Sequence, residues 1–125
     1  MMRIKRLLDE KGHEVFSTSP DTMVYDALKL MAEKEIGMLV VLDKGKMVGI
    51  ISERDYARKI ILKGKKSKHT PVREIMTTKV VHATPHQKVR KCMNVMTKHR
   101  FRHMPVLEED RLVGVVSIED IKKKI

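Results

Sequence analysis

Apolar residues recur at helical spacing in two stretches of the chain. Val24, Ala27, Leu28 and Met31 stand at i, i+3, i+4 and i+7, which places them on one helix face with Asp26, Lys29 and Lys34 toward water. Val89, Cys92, Met93 and Met96 give the same stripe in a helix predicted over residues 86–99. Valine-rich runs at 38–42 and 47–51, and again at 102–107 and 111–116, are too short for helices and predict two antiparallel pairs. Their turns fall at Asp43-Lys44-Gly45-Lys46 and at Glu108-Glu109-Asp110. A strand is expected before each amphipathic helix, at 13–18 around Val15 and Phe16 and at 79–82. A closing helix is expected after each pair: from Ser52 to Leu62, with Tyr56 and Ile60 inward, and from Ser117 onward. Short lead-in helices precede both halves, at 4–11 ended by Gly12 and at 71–76 opened by Pro71.

The two halves are copies of one unit. Gly49-Ile50-Ile51-Ser52-Glu53-Arg54-Asp55 returns as Gly114-Val115-Val116-Ser117-Ile118-Glu119-Asp120, a shift of 65 residues from Asp55 to Asp120. At that shift Pro20 falls on Pro85, Val24 on Val89, Met31 on Met96, Val41 on Val106 and Val48 on Val113. A repeat of this size buries too little surface to be comfortable alone, so two copies are expected to share one core. The predicted fold class is α+β (α/β), with two β-α-β-β-α repeats packed about a pseudo-two-fold axis. The expected divisions are a lead-in helix and first repeat at 1–62, a basic linker at 63–70 and a second repeat at 71–125, together one globule.

Composition narrows the class. Hydrophobic residues make up 42% and charged residues 34%, which excludes a disordered chain, and no apolar run reaches the roughly 18 residues of a membrane span. The charged N-terminal stretch lacks the apolar segment of an export signal, and Cys92 is the only cysteine, so a soluble cytoplasmic protein is expected. Twenty-seven basic against 16 acidic residues give a net charge of +11, which raises nucleic acid as a partner. Against it, Phe16, Tyr25, Tyr56 and Phe101 are the only aromatics available for stacking on bases. Much of the excess lies in Lys63-Gly64-Lys65-Lys66-Ser67-Lys68 and Lys122-Lys123-Lys124, runs that read as a solvated linker and tail.

Two copies of strand-helix-strand-strand-helix, each closing on Gly-h-h-Ser-x-x-Asp (h apolar), with Arg102-His103-Met104-Pro105-Val106 opening a middle strand, resemble a tandem pair of cystathionine β-synthase (CBS) domains. The likeness runs from Glu14 to the end. It extends to Ser52 through Arg58, followed by the basic segment and Val72-Arg73-Glu74-Ile75-Met76-Thr77, as in small stand-alone CBS-pair proteins. The resemblance implies adenine-nucleotide binding in clefts between the repeats and a homodimer formed through helices.

The residues are compatible with such a ligand. A carboxylate at the end of Ser-x-x-Asp can accept hydrogen bonds from both hydroxyls of a ribose. The serine hydroxyl and the N–H groups that open the helix would face the same place and favour a phosphate, and the glycine three residues before the serine would permit close backbone approach. The same Ser-x-x-Asp is also a capping box that needs no ligand, and the two roles can coexist. By resemblance, the first cleft contains Ile50, Ser52, Arg54, Asp55, Thr77, Val80, Val81, Arg102, His103 and Met104. The second contains Gly12, Val15, Phe16, Ile36, Gly37, Met38, Val115, Ser117 and Asp120. Arg54 is matched across the repeat by Glu119, and Arg102-His103 by Gly37-Met38, so the first cleft ranks ahead for phosphate. Arg102 and His103 could serve either cleft.

Other constellations are weaker. His82 and His86 straddle Pro85, and His99 and His103 straddle a helix end, so neither pair shares a helical face and no metal site is expected. Cys92 lies on an apolar stripe without an activating base, as a buried structural thiol would. No nucleophile and base stand together. The reading is a non-enzymatic regulatory module for AMP, ADP, ATP or NAD, acting on its own dimer or on a regulated protein partner, with no membrane association. A basic nucleic-acid-associated protein is the alternative.

Overall fold

The predicted helical stripes become α2 (Val24–Lys34) and α4 (Val89–His99) in the computed structural model, which describes all 125 residues. Val24, Ala27 and Met31 of the first, and Val89, Cys92 and Met96 of the second, are buried, while Leu28 and Met93 lie at the margins of their cores. α2 ends at Lys34, before Gly37, and α4 ends at His99 as predicted but begins at Val89, three residues later than expected. Glu35 and Arg100 adopt left-handed backbone with φ of 55° and 59° and return their N–H groups to the last turn.

The strand pairs form within one residue of the expected limits. β2 (Met38–Asp43) runs antiparallel to β3 (Lys46–Ser52), and β4 (His103–Glu108) to β5 (Arg111–Ser117). Burial alternates identically along β3 and β5, so the 65-residue repeat is a repeat of packing as well as of letters.

The strand expected at 13–18 shortens to β1 (Ser17–Thr18), parallel to β2, and the one expected at 79–82 does not form. What remains there is a single parallel bridge between Ala83 and Val106, the counterpart of Thr18 and Val41. Proline supplies the reason. In the first repeat the Val40 N–H donates to Phe16 O at 3.3 Å; its counterpart, Pro105, has no N–H to give. Pro105 still accepts the Ala83 N–H at 2.9 Å, which holds the bridge but not a strand.

The lead-in helix forms as α1 (Ile4–Lys11), closed by Gly12 at φ 104°. The predicted helix at 71–76 is only a 3-10 turn, Val72–Glu74. The closing helix expected from Ser52 to Leu62 is a short α3 (Glu53–Tyr56) followed by a π turn, Ala57–Ile61. The π turn buries Ile60 and leaves Leu62 largely in solvent. α5 (Ile118–Lys122) closes the second repeat. The 63–70 segment is partly ordered: it holds a 3-10 turn at Ser67–His69, Lys68 Nζ lies 4.8 Å from the centre of the Tyr25 ring, and Thr70 is buried.

The chain separates into two units whose limits differ from the repeat limits. Phe16–Val80 makes one unit, while Met1–Val15 joins Val81–Ile125 in the other. Each unit thus combines one repeat with the segment that precedes the other repeat in sequence. The unit of the second repeat buries Ile4, Leu7 and Leu8 of α1 beside Val89, Cys92, Met96, Met104, Val106, Val116 and Ile121. The unit of the first repeat buries Val72 and Ile75 beside Val24, Ala27, Met31, Leu39, Val41, Ile51 and Ile60. No helix is long and apolar enough to cross a membrane.

Candidate functional site

Each Ser-x-x-Asp sits where an edge of its strand pair passes into the closing helix, and both form complete capping boxes. Ser52 accepts the Asp55 N–H at 3.2 Å while Asp55 Oδ2 accepts the Ser52 N–H at 3.0 Å. Ser117 and Asp120 repeat this at 3.0 and 2.9 Å. The residue just before the middle strand of the same unit closes the helix start: the Glu53 N–H donates to Gly37 O at 3.0 Å, and the Ile118 N–H to Arg102 O at 2.8 Å. Two of the N–H groups that were expected to receive a phosphate are therefore engaged within the protein at each site.

The aspartates differ in their surroundings. Asp55 has both oxygens engaged by four donors. Oδ2 takes the Ser52 N–H and, at 3.1 Å, the Ser52 hydroxyl; Oδ1 takes the Thr77 hydroxyl at 3.2 Å and Lys59 Nζ at 3.1 Å. Its side chain is 9% exposed. Asp120 receives the Ser117 N–H and, at 2.6 Å, Lys11 Nζ, both on Oδ2, and keeps 21% of its side chain exposed. Burial acts to raise the Asp120 pKa, but Lys11 and the Ser117 donors outweigh it and hold the carboxyl below its usual range.

Thr77 is carried to Asp55 by paired backbone bonds with Ile50, N–H to O at 3.0 and 2.8 Å. Gly49 makes this possible, because a Cβ there would lie 2.7 Å from Thr77 O. At Gly114 the space is taken by Leu8, whose Cδ2 would lie 2.7 Å from a Cβ. The motif glycines thus admit the protein's own lead-in segments.

Of the first expected set, Ile50, Ser52, Arg54, Asp55, Thr77 and Val80 belong to the Phe16–Val80 unit, and Val81, Arg102, His103 and Met104 to the other. Of the second, Gly12, Val15, Val115, Ser117 and Asp120 share the unit of the second repeat, whereas Phe16, Ile36, Gly37 and Met38 lie in the Phe16–Val80 unit. Register places Met38 opposite Ser52 and His103 opposite Ser117, beside the Ser-x-x-Asp of their own repeat. Arg102 there pairs with Glu119. Burial lowers the pKa of His103.

Two lysines at these sites escaped the sequence reading. Lys59 was detectable, because it follows Asp55 by four residues in a predicted helix. Lys11 was not, since it meets Asp120 across 109 residues. Cys92 is buried, donates to Gln87 Oε1 at 3.7 Å, and has its thiol pKa pushed up to about 11 by burial.

The CBS domain family model matches residues 11–62 and 72–125. A mitochondrial CBS domain-containing protein of Arabidopsis thaliana, CBSX3, is 44% identical over 119 residues, covering 91% of this chain; the chain spans 57% of that protein's length. The structure of a CBS-domain protein from Burkholderia ambifaria superposes with a TM-score of 0.93 at 44% identity, covering 98% of this chain and 93% of that one. The CBS domain pair of protein MJ0100, solved in complex with 5'-methylthioadenosine and S-adenosyl-L-methionine, gives a TM-score of 0.85 at 28% identity over 99% of this chain and 95% of its own. With both repeats matched and the Ser-x-x-Asp boxes in equivalent places, this chain belongs to the CBS domain family, as a tandem pair and a regulatory module.

Proposed function

We propose that the chain senses an adenosine-containing ligand, of the class of AMP, ADP, ATP or NAD, and relays its presence without catalysing a reaction. The observation that carries this is Asp120: its carboxylate is fixed through Oδ2 by Ser117 and Lys11 and remains partly accessible, as a receptor for a sugar diol must be. The ligands of the MJ0100 pair are both adenosine derivatives, which supports the class. Asp55 ranks second, reversing the order expected from Arg54, because a ligand there has to displace Thr77 or Lys59 from a carboxylate already served by four donors. The output is a population shift toward whichever conformation binds the ligand more tightly, read by a homodimer partner or a regulated protein in the cytoplasm.

Thermal unfolding with each nucleotide tests the reading. A ligand at a hundred times its Kd stabilises a protein by about 2.7 kcal/mol, well within reach of such a measurement. At least one adenine nucleotide should raise Tm, and the rise should disappear when Asp55→Asn and Asp120→Asn are combined. No shift with any of them sinks the proposal. A second reading, a basic nucleic-acid-associated protein, rests on the exposed Lys63, Lys65 and Lys66 within a net charge of +11. It requires oligonucleotide binding that weakens steeply with salt while free nucleotides have no effect.

A further inference from the structure

Lys11 is held from two sides. Its Nζ lies 2.6 Å from Asp120 Oδ2 and 2.8 Å from the carbonyl oxygen of Val115, with 33% of the side chain exposed. Nearby cations are engaged elsewhere, Arg102 with Glu119 and Lys124 with Glu10. We infer that Lys11 is a specificity-determining residue of the Asp120 site, selecting phosphate-bearing ligands over the uncharged nucleoside. The inference rests on the reading of Asp120 as the ribose receptor.

The argument is one of charge replacement. Before binding, the Lys11 ammonium and the Asp120 carboxylate neutralise one another in a largely covered position. A ribose diol that bonds to the carboxylate competes for Oδ2, the oxygen Lys11 occupies. If the ligand is an uncharged nucleoside, the ammonium is left with the neutral Val115 carbonyl in place of an anion. A phosphate on the same nucleoside restores the lost counter-charge, and charge-assisted bonds are about twice as strong as neutral ones. A lysine suits this exchange, because its three donors swivel on a flexible stem.

The repeat supplies an internal contrast. A shift of 65 residues puts Met76 at the place of Lys11, and Met76 packs against Gly49 instead of contributing charge. The ammonium beside Asp55 comes from Lys59, on the same closing helix. Charge selection by a lead-in residue is therefore built into one unit only, and Lys11→Met gives that unit the residue the other carries at this place.

Isothermal titration of AMP and of adenosine into the full chain tests the assignment, using wild type, Lys11→Met, Lys11→Arg and Lys5→Met, which removes one charge from the same helix. Wild type should bind AMP about tenfold more tightly than adenosine, the order of one charge-assisted hydrogen bond. In Lys11→Met, AMP should weaken by about that factor while adenosine binds equally or more tightly; Lys11→Arg and Lys5→Met should retain the preference. If both ligands bind and Lys11→Met leaves their ratio unchanged, Lys11 does not select charge, although the adenosine reading survives. If wild type binds neither AMP nor adenosine, the inference about Lys11 is overturned, while the adenosine reading is still decided by the thermal shifts with ADP, ATP and NAD. Should circular dichroism show Lys11→Met unfolded, Lys11→Gln carries the same comparison.

Discussion

The motif glycines show how one letter serves two physical purposes. A Cβ at residue 49 meets the backbone carbonyl of Thr77, fixed by its paired bonds to Ile50, whereas at 114 it meets the methyl groups of Leu8. Backbone in a hydrogen-bonded pair cannot retreat, but a leucine tip can turn. Overpacking costs about 1–3 kcal/mol, so Gly49→Ala is expected near the upper end and Gly114→Ala near the lower. Urea denaturation checks this through the midpoint at unchanged slope; equal losses would remove the distinction. The sequence marked both glycines, because they repeat. Their role was not legible, since the groups that crowd them lie 28 residues from Gly49 and over a hundred from Gly114.

Among the elements, the hairpins were the most legible and the first strands the least. Both turns have two residues at positive φ: Lys44 and Gly45 at 52° and 81°, Glu109 and Asp110 at 49° and 64°. Such turns match the twist of paired strands, and the first uses glycine where the second does not. Asp110→Gly removes a left-handed penalty of about 1–2 kcal/mol at an entropic cost of about 0.5–1, so a small gain in stability is expected. A fall in Tm would show that the Asp110 side chain contributes more than its backbone conformation costs. The strand expected at 79–82 failed on one missing donor, at Pro105. That proline was visible in the sequence, but its effect depends on a partner strand that the sequence does not identify.

At the scale of the whole molecule, the lead-in helix is tied to the second repeat by apolar burial and by charge. Asp9 and His13 pair at 3.1 Å, and the His13 Nδ1–H faces Val113 O at 2.8 Å. Both ring nitrogens face acceptors, and only the protonated ring can donate to both. The backbone bond to Val113 and the contact with Asp9 raise the His13 pKa in the folded chain. This stabilisation is therefore fully present below the unfolded pKa of about 6.5 and is lost as pH rises through the raised folded value. Lys11 with Asp120 has the opposite sign: the carboxyl is lowered, so its contribution holds above the usual aspartate range and is lost as pH falls through the folded value. Stability curves of wild type and His13→Ala should differ in mild acid and converge in alkali. A constant gap across that range would assign His13 a packing role only.

The amino-acid order by itself determined the duplication, the amphipathic helices, the two hairpins, the capping boxes and the family, because each depends on residues close in sequence or on a pattern repeated at fixed distance. Only the tertiary structure decided that residues 1–15 complete the second repeat and 71–80 the first, and so which cation stands beside each aspartate. Apolar segments such as Ile4, Leu7 and Leu8 announce that they will be buried but not against what. The pairing of Lys11 with Asp120 follows from that choice of partner.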